Sequence, residues 1–345
     1  MRRSIRYALL LLAAVMVSAG CKRIPLYDLS TDIRLIINHD IGIDHDIELS
    51  SDTDLPEEYE AKINGKMPQY VNVLFYDPKT HNLLTSHILE AEGGVISIPT
   101  GNYDVVIYNF GTESTQIANS EHRHHAEAHT SDITKTMEDK FKAIQASVSP
   151  GTRGTSKGYE DDPIIYEPDH LYVANLAGVE IPSFQDQTED VVIQMNSSTI
   201  IDTYSLEVIN IKGAENVEKV EAFITGQIKS NYFGKQARNE VPATIYTDMR
   251  VDVPDDRLYS IFNTFGKLPG EENKIYLDIT VTDSGGGQYR YIYDVTDQFD
   301  DPENDSKTLI IDGSEVDIPA ATSGGGGFAP SVDKWKEEII DVPLG

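Results

Sequence analysis

Apolar and polar residues alternate with a period of two along much of this chain, the pattern of strands that bury one face. In KIYLDITVTD, Ile275, Leu277, Ile279 and Val281 share one face, while Tyr276, Asp278, Thr280 and Thr282 share the other. YVNVLFYD aligns Val71, Val73 and Phe75; YDVVIYNF aligns Tyr103, Val105 and Ile107; QYRYIYDV aligns Tyr289, Tyr291, Tyr293 and Val295. Shorter runs predict strands at 33–37, 95–98, 191–195, 206–211, 217–224, 243–251, 309–311 and 339–342. Strands this short, punctuated by Gly, Pro and Asp, point to β-sandwiches rather than a parallel α/β sheet. One segment has helical spacing. Ile133, Met137, Phe141 and Ile144 recur on one face, which predicts a helix over 132–146 capped by Thr130 or Ser131.

The turn-rich, nearly apolar-free segment 147–163 reads as a long loop. DHLYVANLAGVEIP still has the character of ordered structure, so the boundary between two β domains is expected near residue 185, dividing 31–185 from 186–345. SGGGG at 323–327 gives slack to the terminal strand.

The N-terminus is built differently. Arg2, Arg3 and Arg6 precede an apolar run from Tyr7 to Val17, followed by Ser18, Ala19 and Gly20. A basic start, a short apolar core and small residues at a cleavage site make a secretory signal over residues 1–20. The run is shorter than the ~20 residues a membrane-spanning helix needs. Ser18-Ala19-Gly20-Cys21 resembles the lipobox of bacterial lipoproteins, and Cys21 is the chain's sole cysteine. A disulfide has no second thiol here, so export with acylation of Cys21 is the reading, with residues 21–30 as the lipidated linker. Two or three acyl chains hold a protein on a bilayer where one does not. An ordinary signal with a coincidental cysteine is the alternative.

Charge narrows the partners. The full chain carries −29, and loss of the three signal-peptide arginines takes it to −32. Such acidity disfavours nucleic acid and anionic lipid, and it keeps an exported surface soluble.

Three stretches hold residue types that could carry chemistry. In EHRHHAEAH, His125 and His129 stand four apart and on a helix would share a zinc with Glu121; a solvated loop or helix end is the competing reading. DQFDDPENDS offers Asp301 and Asp305 among hard oxygen donors for calcium, but it lacks the glycine and terminal glutamate of an EF-hand loop. DSGGGQ lacks the lysine and helix of a phosphate loop and reads as a hairpin turn. No Gly-x-Ser-x-Gly elbow occurs, so no enzyme, metal or cofactor is expected.

GGVISIPTGNYDVVIYNFGT (93–112), with the strand and hairpin before it, resembles the N-terminal domain of fimbrillin-type proteins, and GGGGFAPSVDKWKEEIIDVPL is similar to their tail. CKRIPLYDLS, FNTFG and YIYDVTDQF resemble a subgroup of Bacteroides-type lipoproteins of unassigned biochemistry. The resemblance implies a mainly β protein of two tandem transthyretin-like sandwich domains, with one short helix in the first. It implies an outer-membrane, surface-exposed lipoprotein held by acylated Cys21, with other fimbrial subunits as partners. Lys22 and Arg23 directly after the cysteine leave a periplasmic face open.

Fimbrillin-type shafts assemble by strand addition after an early strand is removed. Here that strand is the one carrying Ile33, Leu35 and Ile37, and the donor is the terminal segment with Ile340, Val342 and Leu344. An ordinary intramolecular edge strand is the alternative for that segment. Arg153 lies well past the first strand, and only Lys62 and Lys66 fall between the first two, which favours an unprocessed anchor or accessory subunit. A surface lipoprotein that captures glycan or protein for uptake is the second functional reading.

Overall fold

The computed structural model describes residues 30–41, 49, 55–146, 162–183, 189–270, 272–301, 304, 306–320 and 339–341. The chain opens with β1 (Ser30–Asp40), α1 (Glu57–Asn64), β2 (Tyr70–Tyr76), β3 (Leu83–Glu90), β4 (Gly93–Pro99) and β5 (Gly101–Asn109). Short strands β6 (Gln116–Ala118) and β7 (Glu127–His129) lead to α2 (Lys135–Ala146), β8 (Ile164–Tyr166), β9 (Tyr172–Ile181) and β10 (Val191–Thr199). Next come β11 (Asp202–Ile209), β12 (Val217–Ile228), β13 (Ser230–Tyr232), β14 (Ala237–Arg238), β15 (Pro242–Asp252) and β16 (Arg257–Thr264). The last elements are β17 (Tyr276–Asp283), β18 (Gln288–Asp294), α3 (Thr296–Asp300), β19 (Thr308–Asp312) and β20 (Ile339–Asp341). The protein is mainly β, as its alternation predicts.

Seven strands close into a barrel in the order β1-β10-β9-β5-β2-β3-β4, and β4 returns to β1. Ile33, Leu35, Val71, Val73, Phe75, Val105, Ile107 and Ile193 fill it, so the period-two faces point inward as read from sequence. The second half is one long sheet, β19-β11-β16-β15-β12-β17-β18-β20, with β8 beside β15. Leu206, Val208, Ala222, Ile224, Leu277, Ile279, Val281 and Tyr293 pack on its inner face.

The outer face of this sheet breaks the simple pattern: its polar residues Asp278 and Thr280 are buried too. The N-terminal half supplies part of the cover. Tyr59 of α1 meets Tyr259 edge-on at 5.8 Å, and Lys62 donates to the Ile261 carbonyl at 2.7 Å. Further along, Ile133, Met137, Ile164 and Tyr166 pack against Phe223 and Tyr246. β8 adds backbone pairing to β15, and β7 pairs with β13 in a small sheet, β14-β13-β7-β6. The halves are therefore interlocked rather than strung together.

Two local outcomes differ from expectation. β10 follows residue 185 yet pairs with β1 in the first barrel, so the sheets change over at Ile200–Ile201. Its apolar face is needed to close the barrel, a long-range demand that loop composition does not reveal. The predicted helix begins at Lys135, and Thr134, not Thr130 or Ser131, sits at its start; its hydroxyl accepts the Met137 N–H at 3.4 Å. Thr130 is instead buried, donating to the Tyr166 carbonyl at 2.8 Å. No helix among the described residues is long and apolar enough to cross a membrane.

Candidate functional site

The strand proposed for exchange lies at the closing seam of the barrel. β1 runs parallel to β10, with Ile33 beside Val191, and antiparallel to β4, with Ile33 beside Ile96. Ile33, Leu35 and Ile37 are at most 4% exposed. Side chains fasten both ends. Thr31 donates to the Pro182 carbonyl at 2.7 Å; His39 donates through Nε2 to the Ala91 carbonyl at 2.9 Å and accepts the Ser197 hydroxyl at Nδ1, 2.6 Å away. Gly93 makes the tight approach possible. At φ +102° its missing Cβ would lie 2.2 Å from the Leu35 carbonyl oxygen, a place no larger residue fits.

Withdrawing β1 would uncover a row of unpaired backbone groups on β4 and β10 and a lane of apolar pockets between them. That is the chemistry of strand addition: hydrogen bonds give affinity, and alternate side chains give selectivity. Here the lane is filled by the chain's own strand.

At the other end, β20 pairs in parallel with β18, placing Ile340 beside Tyr293. Val342, Leu344 and Cys21 lie outside the described residues.

The histidines do not form the site that i, i+4 spacing suggests. His125 ends a 3-10 turn (Arg123–His125), whereas His129 lies on β7 with its Nδ1 near the Thr130 carbonyl. The structure instead gathers His81, on the β2–β3 turn, with His122, His124 and His125. His81 and His124 have ring centroids 3.9 Å apart, and His122 stacks on His125 at 4.4 Å. The Nδ1 atoms of His81 and His122 are shielded from water without a hydrogen-bond partner. Burial, then the neighbouring His81, Arg123, His122 and Lys235, hold the His124 pKa below the ordinary imidazole value. Stacked rings do not converge their nitrogens on one point, and no group of three or more His, Cys, Asp or Glu able to hold a metal occurs among the described residues. His81 carries no sequence signal; only the turn geometry brings it here.

Asp301 follows α3, and Asp305 lies outside the described residues. Asp283 organises the β17–β18 hairpin, accepting the N–H groups of Gly285 (2.8 Å) and Gly287 (2.7 Å), so DSGGGQ is a turn as read from sequence.

Known proteins share this architecture. Over its full length the chain is 23% identical to a Bacteroides ovatus protein named "Putative fimbrium anchoring subunit Fim4B", covering 99% of each. A crystal structure described as a "putative adhesin" from Bacteroides ovatus superimposes with a TM-score of 0.54 at 20% identity, covering 85% of this chain and 97% of that one. The fimbrial anchor protein Mfa2 from Porphyromonas gingivalis matches with a TM-score of 0.41 at 14% identity, over 72% of this chain and 78% of its own. The full-length match to the protein named as a fimbrium anchoring subunit bears out the resemblance to fimbrillin-type proteins drawn from the strand and turn motifs. A family model described as "Domain of unknown function (DUF5119)" matches residues 61–248, more than half of the sequence, and the chain belongs to that family.

Proposed function

We propose that this protein is a non-enzymatic, lipid-anchored component of a cell-surface fimbria, serving as an anchor or accessory subunit held in the outer membrane by acylated Cys21. The observation that carries this reading is the end-to-end match to a relative named as a fimbrium anchoring subunit. The relatives support a pilus-associated, adhesin-like role and an envelope location. β1 fits the anchor role within that frame: a subunit that keeps its own strand in the seam offers no acceptor lane. It would contribute the donor segment carrying Ile340, Val342 and Leu344 to the next subunit.

The test is metabolic labelling with a radioactive fatty acid in the native host, followed by membrane fractionation. The wild-type chain is expected to carry label in the outer membrane; Cys21→Ser is expected to lose both label and membrane retention and to shed fimbriae into the medium. Unlabelled wild-type protein, or fimbriae retained normally by Cys21→Ser cells, would refute the anchor role.

A further inference from the structure

The four gathered histidines play no part in the proposed anchor role. His81 sits on the β2–β3 turn, and His122, His124 and His125 sit on the β6–β7 connection. Besides the two close pairs, the His81 and His122 ring centroids are 6.0 Å apart and those of His122 and His124 5.8 Å. Backbone bonds strap the two turns together: the Arg123 N–H donates to the His81 carbonyl and the Leu83 N–H to the Glu121 carbonyl, both at 2.8 Å.

The cluster stands at the joint between the halves. The Arg123 guanidinium reaches back to Asp104 of β5 at 2.7 Å. Its carbonyl lies against Gly234 of the β13–β14 turn, where a Cβ would be only 2.1 Å from the oxygen. Ala126 and Ala128, just after the cluster, are buried with Phe233 in one apolar group, and Ala128 of β7 pairs with Asn231 of β13. Displacing the Arg123–His125 turn would therefore loosen β7 from β13.

Protonation is suited to displace it. A neutral imidazole can leave one nitrogen bare, but an imidazolium donates from both. At the shielded Nδ1 atoms of His81 and His122 the added N–H would meet neither water nor an acceptor, a costly arrangement. Rings 3.9 Å and 4.4 Å apart would also carry like charges. The cations already present are Lys79 on the β2–β3 turn, Arg123, and Lys235 on the β13–β14 turn, which lies over the Tyr232 ring. The acids are engaged or in water: Asp104 holds Arg123 and the Gly178 N–H, Asp77 holds the Lys79 and Thr80 N–H groups, Glu127 holds the Ser230 hydroxyl, and Glu121 is exposed. The Tyr76 hydroxyl is spent on the Ser120 carbonyl.

We propose that the four histidines form an acid-sensitive latch. Neutral, they seat the Arg123–His125 turn between the barrel and the β13–β14 turn; on protonation below about pH 6.5 the turn lifts and β7 is released from β13. The latch depends neither on the fimbrial role nor on acylation of Cys21, and its failure would leave both intact.

The test is hydrogen-exchange mass spectrometry on the mature chain at pH 7.5 and 5.5, with rates corrected for intrinsic exchange. Each proton taken up on opening raises the opening constant about tenfold per pH unit below about 6.5. Protection in β6, β7 and β13 is therefore expected to fall about tenfold or more at pH 5.5, while β2 and β5 keep theirs. The double variant His81→Gln with His124→Gln is expected to stay protected at pH 7.5 and to lose most of the response. Lys235→Glu, on the exposed turn, puts a carboxylate where a cation faces His124; it is expected to shrink the response and gives a second reading should the double variant fold poorly. His170→Gln, whose ring bonds Lys62 and Thr199 instead, is expected to leave the local response in place. A response absent from β6, β7 and β13, spread evenly over the chain, lost in His170→Gln, or undiminished in Lys235→Glu and the double variant would overturn the inference.

Discussion

Arg257 and Glu207 form an ion pair of 2.6 Å on the outer face of the C-terminal sheet, with side chains 1% and 0% exposed. Asp252 completes the group, 3.0 Å from the same guanidinium. Removing the cation alone would take the guanidinium charge away from two buried carboxylates. Arg257→Met is therefore expected to lower stability by about 3–5 kcal/mol, read by urea unfolding. The triple variant with Glu207→Leu and Asp252→Asn is expected to recover most of that loss, since the cost lies in stranded charge rather than lost packing. A triple variant no more stable than Arg257→Met would contradict this account.

The barrel seam depends on one glycine. Gly93→Ala places a methyl group against the Leu35 carbonyl in a left-handed backbone region. The expected penalty is about 3 kcal/mol, with faster hydrogen exchange concentrated in β1. Uniformly faster exchange over the whole barrel would argue that β1 is not the element released first.

His170 gives stability a pH dependence of known sign. It is buried, donating through Nε2 to the Lys62 carbonyl at 2.7 Å, so Nδ1 is left to accept the Thr199 hydroxyl at 3.1 Å. Burial holds its pKa below the ordinary value, outweighing the carbonyl and nearby Asp169 that favour the charged form. The unfolded chain then takes up a proton that the folded chain refuses, so stability is full above about pH 6.5 and falls as pH drops below it. His124 acts in the same direction. Urea midpoints are expected to be lower at pH 5.5 than at pH 7.5, and His170→Gln, which keeps a donor and an acceptor, is expected to flatten the slope. A slope of equal size in the variant would assign the effect to other groups.

Interlocking predicts how the halves unfold. Residues 186–345 expressed alone would lose β8 from beside β15 and the apolar cover of Ile133, Met137 and Ile164 over Phe223 and Tyr246. Such a fragment is expected to bind hydrophobic dyes and to lack a cooperative thermal transition, whereas the whole chain is expected to show a single one. A soluble, cooperatively folding fragment would show that each half stands by itself.

Local sequence was enough for the strands whose alternation survives in the fold. Ile275, Leu277, Ile279 and Val281 face one core because side chains on a strand alternate sides whatever the neighbours do. The same regularity made β1 and its buried triplet legible. It could not reveal that Asp278 and Thr280 are buried, because an alternating strand is equally compatible with a polar face left in water. Nor could it show that His81 joins His122 and His124 in place of a pairing of His125 with His129, or that β10 returns to close the first barrel. Those are contacts between residues far apart in sequence, fixed by which surfaces must leave water together, and no local period records them.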